Sequence, residues 1–553
     1  MEQFDWLNSY DKHVTKDFTY PECTLYEVLE NTVSQSPNKV ALRFFNFEQT
    51  YQEFFTRVHH FAAALKSLGV KKGDRVALML PNCPQYLVSY FASFACGAVV
   101  VQVSPFYTKT EIRKIVKDSG VKVMVCLDLM SGKIAKIKEE CGVHDVILVN
   151  LSRRLPALKS MLYRLKLWSS LDVMHEDYLE HVLDYDHLLD HFEHAEAPST
   201  EDMSCDDLAI LQYTGGTTGL PKGAKLSHRN LVSNIYMLLN WTDFEEGKEK
   251  VLAVLPLFHA YGMTVSMNYS IASGGELILL PRFDAAQVVE ALEKYRPTFF
   301  PAIPTIYQAL ARYMSEKDIK VEGLKCCISG AAPLHRDVVR DFEAVTGSRL
   351  VEGFGLSEAS PVTHCNPYIS EGKTGSIGLP LPGTEAKIVD METGEDLAVG
   401  EDGELIIRGP QVMQGYWTKS EDDVGTQLKD GWLYTGDIAK RDEDGYFYIV
   451  GRRKNMIIKS GLNIYPVEIE SVIRKFEGVD DVAAIGVPDQ EKGEVIKVVV
   501  VAKAGFLLSE RELDAFCRDH LAGYKCPNVF RFVEGLPKTL IGKTLYRKLR
   551  EFD

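Results

Sequence analysis

Tyr213 to Ala224 reads YTGGTTGLPKGA. An apolar run, Leu208 to Tyr213, comes just before it and is expected to be a strand. That strand would end in three glycines, three threonines and one lysine within residues 214–222. Glycine lets backbone N–H groups turn toward an oxyanion with no Cβ in the way. Thr214, Thr217 and Thr218 add hydroxyl donors and Lys222 adds a point charge, a set suited to a polyphosphate tail. By composition alone, a flexible loop between two strands would look the same. The spacing is not that of a Walker A loop, G-x-x-x-x-G-K-[ST] leading straight into a helix. Lys222 is followed instead by GAKLSH, expected to be a short strand, with a helix beginning near His228. The GKT at 542–544 fails the same pattern, because Pro537 stands where its first glycine belongs.

Outward from this loop the chain alternates. Gln52 to Leu68 reads as an amphipathic helix and Asp74 to Leu80 as a strand. Thr110 to Asp118 is expected to be a helix with Ile112, Ile115 and Val116 on one face, followed by a strand at Val121 to Cys126. The alternation resumes at Asp207 and runs to about Leu350, which argues for parallel α/β sheets. Past Gly375 the texture changes to short strands and Gly-rich turns, expected to form a β-rich subdomain over about 370–450. The last hundred residues read as a small α+β unit. Val467 to Lys475 is a helix, and Val482 to Val487 and Glu494 to Lys503 are strands. Ser509 with Glu512 is expected to form a capping box, opening a helix whose apolar face is Leu513, Phe516, Cys517 and Leu521. The expected division is 1–452 and 453–553, at the charged turn GRRKN.

The 553 residues are 46% hydrophobic and 25% charged, a globular composition that excludes disorder and disulfide-stapled miniproteins. The net charge of −15 does not suit a nucleic-acid binder, so a polyanionic ligand needs a local cationic site. Eleven scattered cysteines and an acidic start without a signal peptide point to reduced thiols in a cytoplasm. Tyr86 to Val103 carries no charge over eighteen residues, the length of a candidate membrane span. Flanking prolines and a midway shift to VVVQV favour a buried helix feeding a buried strand. Leu151 to Trp168 has five cations and no acid, and is either an amphipathic helix on an anionic bilayer or a solvated excursion. His187 and His191, at i and i+4, are a weak candidate metal pair, since no third ligand is fixed beside them.

Seven further segments follow the loop in order. They are LPLFHAYG (255–262), SGAAP (329–333), EGFGLSE (352–358), GELIIRGPQVMQGYW (403–417), GWLYTGD (431–437), GRRKNMIIKSGLNIYPVEIE (451–470) and PKTLIGKTLYRKL (537–549). The series resembles the adenylate-forming superfamily of acyl-CoA synthetases, peptide-synthetase adenylation domains and beetle luciferases, and within it the bacterial long-chain fatty-acid–CoA ligases. The resemblance implies a large N-terminal α/β domain and a mobile C-terminal lid that swings about Lys454. It implies a reaction in which a carboxylate attacks ATP to give acyl-AMP, and CoA then displaces AMP.

Residue by residue, the resemblance implies that Thr214, Gly215, Gly216, Thr217, Thr218, Gly219 and Lys222 hold the β- and γ-phosphates. Gly330, Ala331, Ala332, Glu352, Gly353, Phe354, Gly355 and Ser357 line the nucleotide, with Phe354 stacking on adenine. Glu358, with Thr217, would hold Mg²⁺, which prefers hard oxygen donors. Asp437 and Arg452 would take the ribose. Lys543 would steady charge on the α-phosphate, and His259 joins it and Glu358 as a catalytic candidate. Gly461 would give room for the pantetheine arm. Gly451 and Asn455 depart from the subgroup's usual Asp, which puts the hinge's hydrogen bonding in doubt.

Where peptide-synthetase relatives carry an Asp for the substrate's ammonium, this chain has Phe258, His259 and Tyr261. A buried ammonium without a partner is costly, so a plain carboxylic acid is favoured, a medium- or long-chain fatty acid above all. The uncharged run GMTVSMNYSIASGG would line an apolar slot or simply be core helix. Alternatives are an aromatic or short-chain acid, transfer to a carrier-protein thiol, luciferase-type oxidation, or a non-catalytic acyl-nucleotide binder. A monomer and a homodimer both remain open.

Overall fold

The computed structural model describes residues 5–169, 181–196, 198–214, 222–417, 428–460, 462–489, 491–539 and 542–552. Two mainly parallel sheets make the large part of the molecule. The first has nine strands, its centre formed by Val40–Phe44, Glu276–Leu279, Lys250–Ala253, Phe299–Ala302, Cys326–Ser329 and Leu350–Gly355, each parallel to the next. The second has eight, with Leu208–Thr214, Val99–Gln102, Arg75–Met79, Val123–Leu127 and Asp145–Val149 parallel at its centre.

The uncharged stretch at 86–103 ends in one of the central strands of the second sheet. It forms the helix Pro84–Ala95, every residue of which is buried, and the buried strand Val99–Gln102. Two of its polar side chains bond inside the protein: Tyr86 donates to Gln102 Oε1 at 2.6 Å and Ser93 to the Ser89 carbonyl at 2.7 Å. Each fully buried Leu, Val or Phe there contributes about 1.5–3 kcal/mol relative to exposure to water. Among the described residues, no helix is long and apolar enough to cross a membrane.

The neighbouring helix Tyr51–Ser67 starts with a full capping box from Thr50 and Glu53 and lays Phe54, Val58, Phe61 and Leu65 into the core. The run at 262–272 is not an ordinary core helix. Gly262–Asn268 winds as a wide π turn before Tyr269–Ala272, and a Cβ on Gly262 would meet the Pro256 carbonyl at 2.4 Å.

A third sheet is antiparallel, with Glu385–Val389, Gly403–Arg408, Trp432–Arg441 and Phe447–Arg452 as its longer strands. Ile457–Lys459 opens the fourth, in which Gly493–Ala502 sits between Val479–Asp489 and Val529–Val533. Ile469, Ile473, Val498, Val500, Leu513 and Cys517 form its separate core. The helix Glu510–His520 is capped by Ser509, but only half of the expected box forms. Ser509 accepts from the Glu512 N–H, and its hydroxyl donates to the Glu512 carboxylate at 2.6 Å. All eleven cysteines are free thiols.

Candidate functional site

The strands Leu208–Thr214 and Lys222–Ser227 pair antiparallel, with Thr214 opposite Lys222. Gly215, Gly216, Thr217, Thr218 and Gly219 lie outside the described residues, so the structure supplies the two ends of the loop. Lys222 places its ammonium 5.5 Å from the centre of the Tyr416 ring. The Tyr416 hydroxyl donates to Glu358 Oε1 at 2.7 Å. One tyrosine therefore joins the phosphate-loop lysine to the carboxylate proposed for the metal. Tyr416 reaches this place because Tyr416–Trp417 adds as an edge strand to Lys222–Ser227.

Glu358 sits in the short 3₁₀ turn Ser357–Ala359, just beyond the end of the strand Leu350–Gly355. Its carbonyl accepts from Met413 N–H at 2.8 Å, which fixes the turn against the Tyr416 segment. Gly355 is required here, since a Cβ would lie 2.1 Å from the Pro361 carbonyl oxygen. Gly330 lies against the Tyr261 ring, where a Cβ would come within 3.0 Å, and Tyr261 itself donates to the Ile328 carbonyl at 2.7 Å. Ala331 takes a left-handed φ of 68°. Phe354 is half-buried with its ring crossed by His364 at 6.1 Å. Glu352 is different in kind: burial pushes its carboxyl up to about 8, against a backbone hydrogen bond from Leu334.

Asp437 and Arg452 face each other across the antiparallel pair Trp432–Arg441 and Phe447–Arg452. They form an ion pair of 2.7 Å, with Asp437 almost fully buried. Burial raises the Asp437 carboxyl, and Arg452, Lys543 and Lys454 oppose that rise. Gly451, beside Arg452, has a structural reason: the Tyr465 ring presses against it, and a Cβ would meet that ring at 2.9 Å.

Lys543 comes from the C-terminal part of the chain. It is presented by a tight hairpin in which Thr539 N–H donates to the Lys543 carbonyl at 2.8 Å and Leu545 N–H to that of Pro537. The side chain lies deep among protein atoms although its surface stays accessible, the condition of a group lining a cleft. Burial lowers its ammonium to about 8; Arg452 and Lys454 push the same way, against Asp437 and Glu358. His259 is held down to about 4 by burial and then by Lys543, so its imidazole is neutral. Lys454, expected at the hinge and among the cofactor-binding residues, belongs to this charge cluster: burial and Arg452 lower it, while Asp437 and Glu358 act to raise it. Arg452, Asp437, Glu358, Lys454 and His259 thus all lie within electrostatic reach of Lys543.

A second cationic feature lies near Gly461, which is itself outside the described residues. A cavity of about 310 Å³ is lined by Lys459, Ser460, Leu462, Lys492, Arg518 and Asn528, among others. Lys459 is buried and lowered by that burial and by Lys492, and donates to Asn528 Oδ1 at 2.8 Å. The sequence reading missed Lys492 and Arg518, and also Tyr416. All are ordinary residues until strands separated in the chain bring them together.

Among the described residues, the group of metal-ligand type with suitable spacing is His144, Asp145 and His181, whose donor atoms lie within 4.8 Å of one another. The expected pair His187 and His191 does not form such a group. In the His144 cluster both imidazoles pair with the buried Asp145, at 2.7 and 3.2 Å, and so satisfy its carboxylate.

Residues 29–417 match the family model described as AMP-binding enzyme, and residues 468–543 match that described as AMP-binding enzyme C-terminal domain. The chain belongs to the AMP-binding enzyme family. A long-chain-fatty-acid–CoA ligase of Bacillus subtilis (strain 168) is 42% identical, with 99% of this chain and 98% of that protein covered. The protein of the same name from Escherichia coli O157:H7 is 37% identical, again over 99% and 98%. Among solved structures, ATP-bound MatB from Rhodopseudomonas palustris superposes with a TM-score of 0.82 at 30% identity, covering 96% of this chain and 99% of that one. The anthranilate–CoA ligase AuaEII in complex with anthranoyl-AMP gives 0.83 at 25% identity, covering 97% and 98%. This AMP-binding enzyme therefore has the mixed α/β fold expected of the adenylate-forming superfamily, with a large N-terminal and a smaller C-terminal part.

Proposed function

We propose that the protein is a fatty-acid–CoA ligase that uses ATP and Mg²⁺ and works in two steps from one cleft. In the first, a carboxylate oxygen attacks the α-phosphorus of ATP, the bond to pyrophosphate breaks, and acyl-AMP forms. In the second, the CoA sulfur attacks the acyl carbon, the carbon–oxygen bond to AMP breaks, and the thiol proton leaves to solvent. The supporting observation is that Lys543, from the far end of the chain, lies within electrostatic reach of Glu358, Asp437 and His259.

Bringing a carboxylate to a triphosphate costs about 1 kcal/mol per charge pair at 4 Å in water and about 4 at an effective dielectric of 20. Lys543 and Lys222 offset that repulsion by positioned charge, the main resource of phosphoryl-type transfer. Arg452 and Asp437 orient the sugar. Neutral His259 can donate one hydrogen bond to the carboxylate without drawing a proton from it. Glu358 fits a Mg²⁺ ligand: it is a hard oxygen donor, and Tyr416 fixes Oε1 while leaving Oε2 outside that bond. The ion would be held by Glu358 with Thr217 and would neutralise phosphate charge.

The division of the chain at 452/453 serves this reaction as a hinge, because Lys543 must leave before a thiol can approach the acyl-AMP. The cationic cavity around Lys459, Lys492 and Arg518 suits the phosphates of CoA, beside the segment that would admit pantetheine. The substrate class rests on relatives 37–42% identical over nearly their whole length and named for long-chain fatty acids. A feruloyl-CoA synthase of Amycolatopsis sp at 34% identity favours the aromatic alternative. A turnover screen from acetate to oleate, with aromatic acids included, tests the class; a preference for aromatic acids would overturn it. Lys543→Ala tests the mechanism. It should abolish fatty-acid-dependent pyrophosphate release and spare thioester formation from supplied acyl-AMP, and equal loss of both would refute the two-step use of the cleft.

The acyl substrate partitions into lipid, and the helix Ala157–Ser169 is built to meet it there. Leu158, Met161, Leu162 and Leu165, at i, i+3, i+4 and i+7, are each more than half exposed. The opposite face is anchored, with Lys159 donating to Gln287 at 2.9 Å and Tyr163 to Asp128. Arg164 and Lys166 flank the apolar stripe, in a segment with five cations and no acid on a chain of net charge −15. The occupant this suits is an anionic bilayer surface. Flotation with anionic vesicles should be lost in Leu158→Glu/Leu162→Glu and in zwitterionic vesicles; flotation unchanged by the substitutions would remove the contact.

A further inference from the structure

The hairpin that carries Lys543 is tied to the large domain by a polar chain that runs outside the cleft. Arg474 caps the helix Pro466–Ile473 in the small domain. Its Nη1 donates to His335 Nε2 at 2.6 Å, and its Nη2 to Asp481 Oδ1 at 3.1 Å. Asp481 Oδ2 pairs in turn with Lys538 Nζ at 2.6 Å. Lys538 bridges Thr544 across the base of the Lys543 hairpin. On the other side of that hairpin, the Tyr546 hydroxyl lies 3.0 and 3.1 Å from the two oxygens of Glu470, which sits on the same helix as Arg474. His335 belongs to the large domain, where it is the N-cap residue of Arg336–Thr346.

A guanidinium has no acceptor, so His335 Nε2 must present a lone pair to it. Burial and Arg474 keep the imidazole neutral at physiological pH, with a value of about 4, and the proton then sits on Nδ1. His335 is not among the cleft residues named above. Its bond joins the two domains in the orientation that inserts Lys543 among Asp437, Glu358 and His259.

We propose that the His335–Arg474 hydrogen bond is a latch that holds the small domain in the orientation for acyl-AMP formation, which makes both residues positioning residues for the first half-reaction. The proposal rests on the role given above to Lys543. If the hairpin must withdraw before thioester formation, the latch must open for the second step, so losing it weakens only the first.

The test uses the full chain and two assays: pyrophosphate release with saturating ATP and fatty acid, and thioester formation from supplied acyl-AMP and CoA. A hydrogen bond from a charged donor is worth a factor of about ten or more in an equilibrium. His335→Ala should lower the first rate about tenfold and leave the second unchanged. His335→Lys, which sets a second cation against Arg474, should lower the first rate further. His335→Gln, whose amide oxygen can accept the same bond, should recover most of it, a rescue that a merely structural role would not produce. Equal effects on both half-reactions, no effect of His335→Ala, or a Gln variant no better than Ala would each overturn the latch. Lys543→Ala run in parallel separates the two claims. If it spares pyrophosphate release, the reading of Lys543 fails and the latch with it; if it abolishes release while the His335 variants behave as wild type, only the latch fails.

Discussion

Lys543 titrates in a range where its charge can be switched by ordinary buffers. Burial among Arg452 and Lys454 brings its ammonium down to about 8 from 10.5. The protonated form is the one that steadies developing charge on phosphate, so acyl-AMP formation should fall as pH rises through that value. The protonated fraction is about 0.9 at pH 7 and about 0.09 at pH 9 for a group titrating near 8, a drop of about tenfold. kcat/KM for ATP reports the free enzyme, in which this environment applies. The assay is initial-rate pyrophosphate release at subsaturating ATP and saturating fatty acid from pH 6.5 to 10. His259 is already neutral throughout that range and adds no limb. Lys543→Arg keeps the charge and should flatten the high-pH fall, at the cost of a lower plateau. A wild-type profile that stays level to pH 9.5, or a limb at the ordinary lysine value that Lys543→Arg does not move, would refute the reasoning.

Three other outcomes follow from the geometry. Tyr416→Phe removes the bond to Glu358 and should slow acyl-AMP formation about tenfold at fixed Mg²⁺, with a raised Mg²⁺ requirement measured by titration. Glu470 is buried and its carboxyl is pushed up by burial to about 7 from 4.5. The folded state therefore keeps its proton to higher pH than the unfolded chain; its stabilising effect is full below pH 4.5 and is lost as pH rises through about 7. That loss is up to about 3 kcal/mol, and Glu470→Gln should flatten this part of the stability–pH curve in denaturant melts. Gly355→Ala should destabilise by about 1–3 kcal/mol, read as a lower Tm, because its Cβ would collide with the Pro361 backbone.

Much of the fold was legible because its signals are local. The 3.6-residue period of Tyr51–Ser67, with Thr50 and Glu53 at its start, marks a helix without knowledge of anything else. The absence of charge across 86–103, broken by prolines at both ends, marks burial on all sides, and the helix Pro84–Ala95 is buried at every residue. The π turn at Gly262–Asn268 was not legible, since the spacing of apolar residues does not encode it. At 509–512 the residues of a capping box are present, yet only the bond from the Glu512 N–H to the Ser509 hydroxyl forms as a box would have it.

For the site, the order and content of the motif segments named the chemistry before any coordinate was known. Side-chain type sets what a loop of glycines, threonines and lysine can bind, and that property travels with the sequence. What the sequence could not state is who meets whom. Tyr416 joins Lys222 to Glu358, Lys454 shares a cleft with Asp437, and His335 receives Arg474 from the other domain. Each of these pairings spans tens to hundreds of residues and is made by sheet order and domain placement, for which no local period exists. The shifted titrations of Lys543, His259 and Glu352 belong to the same class. Charge and desolvation act through space, so only the folded arrangement sets their strength.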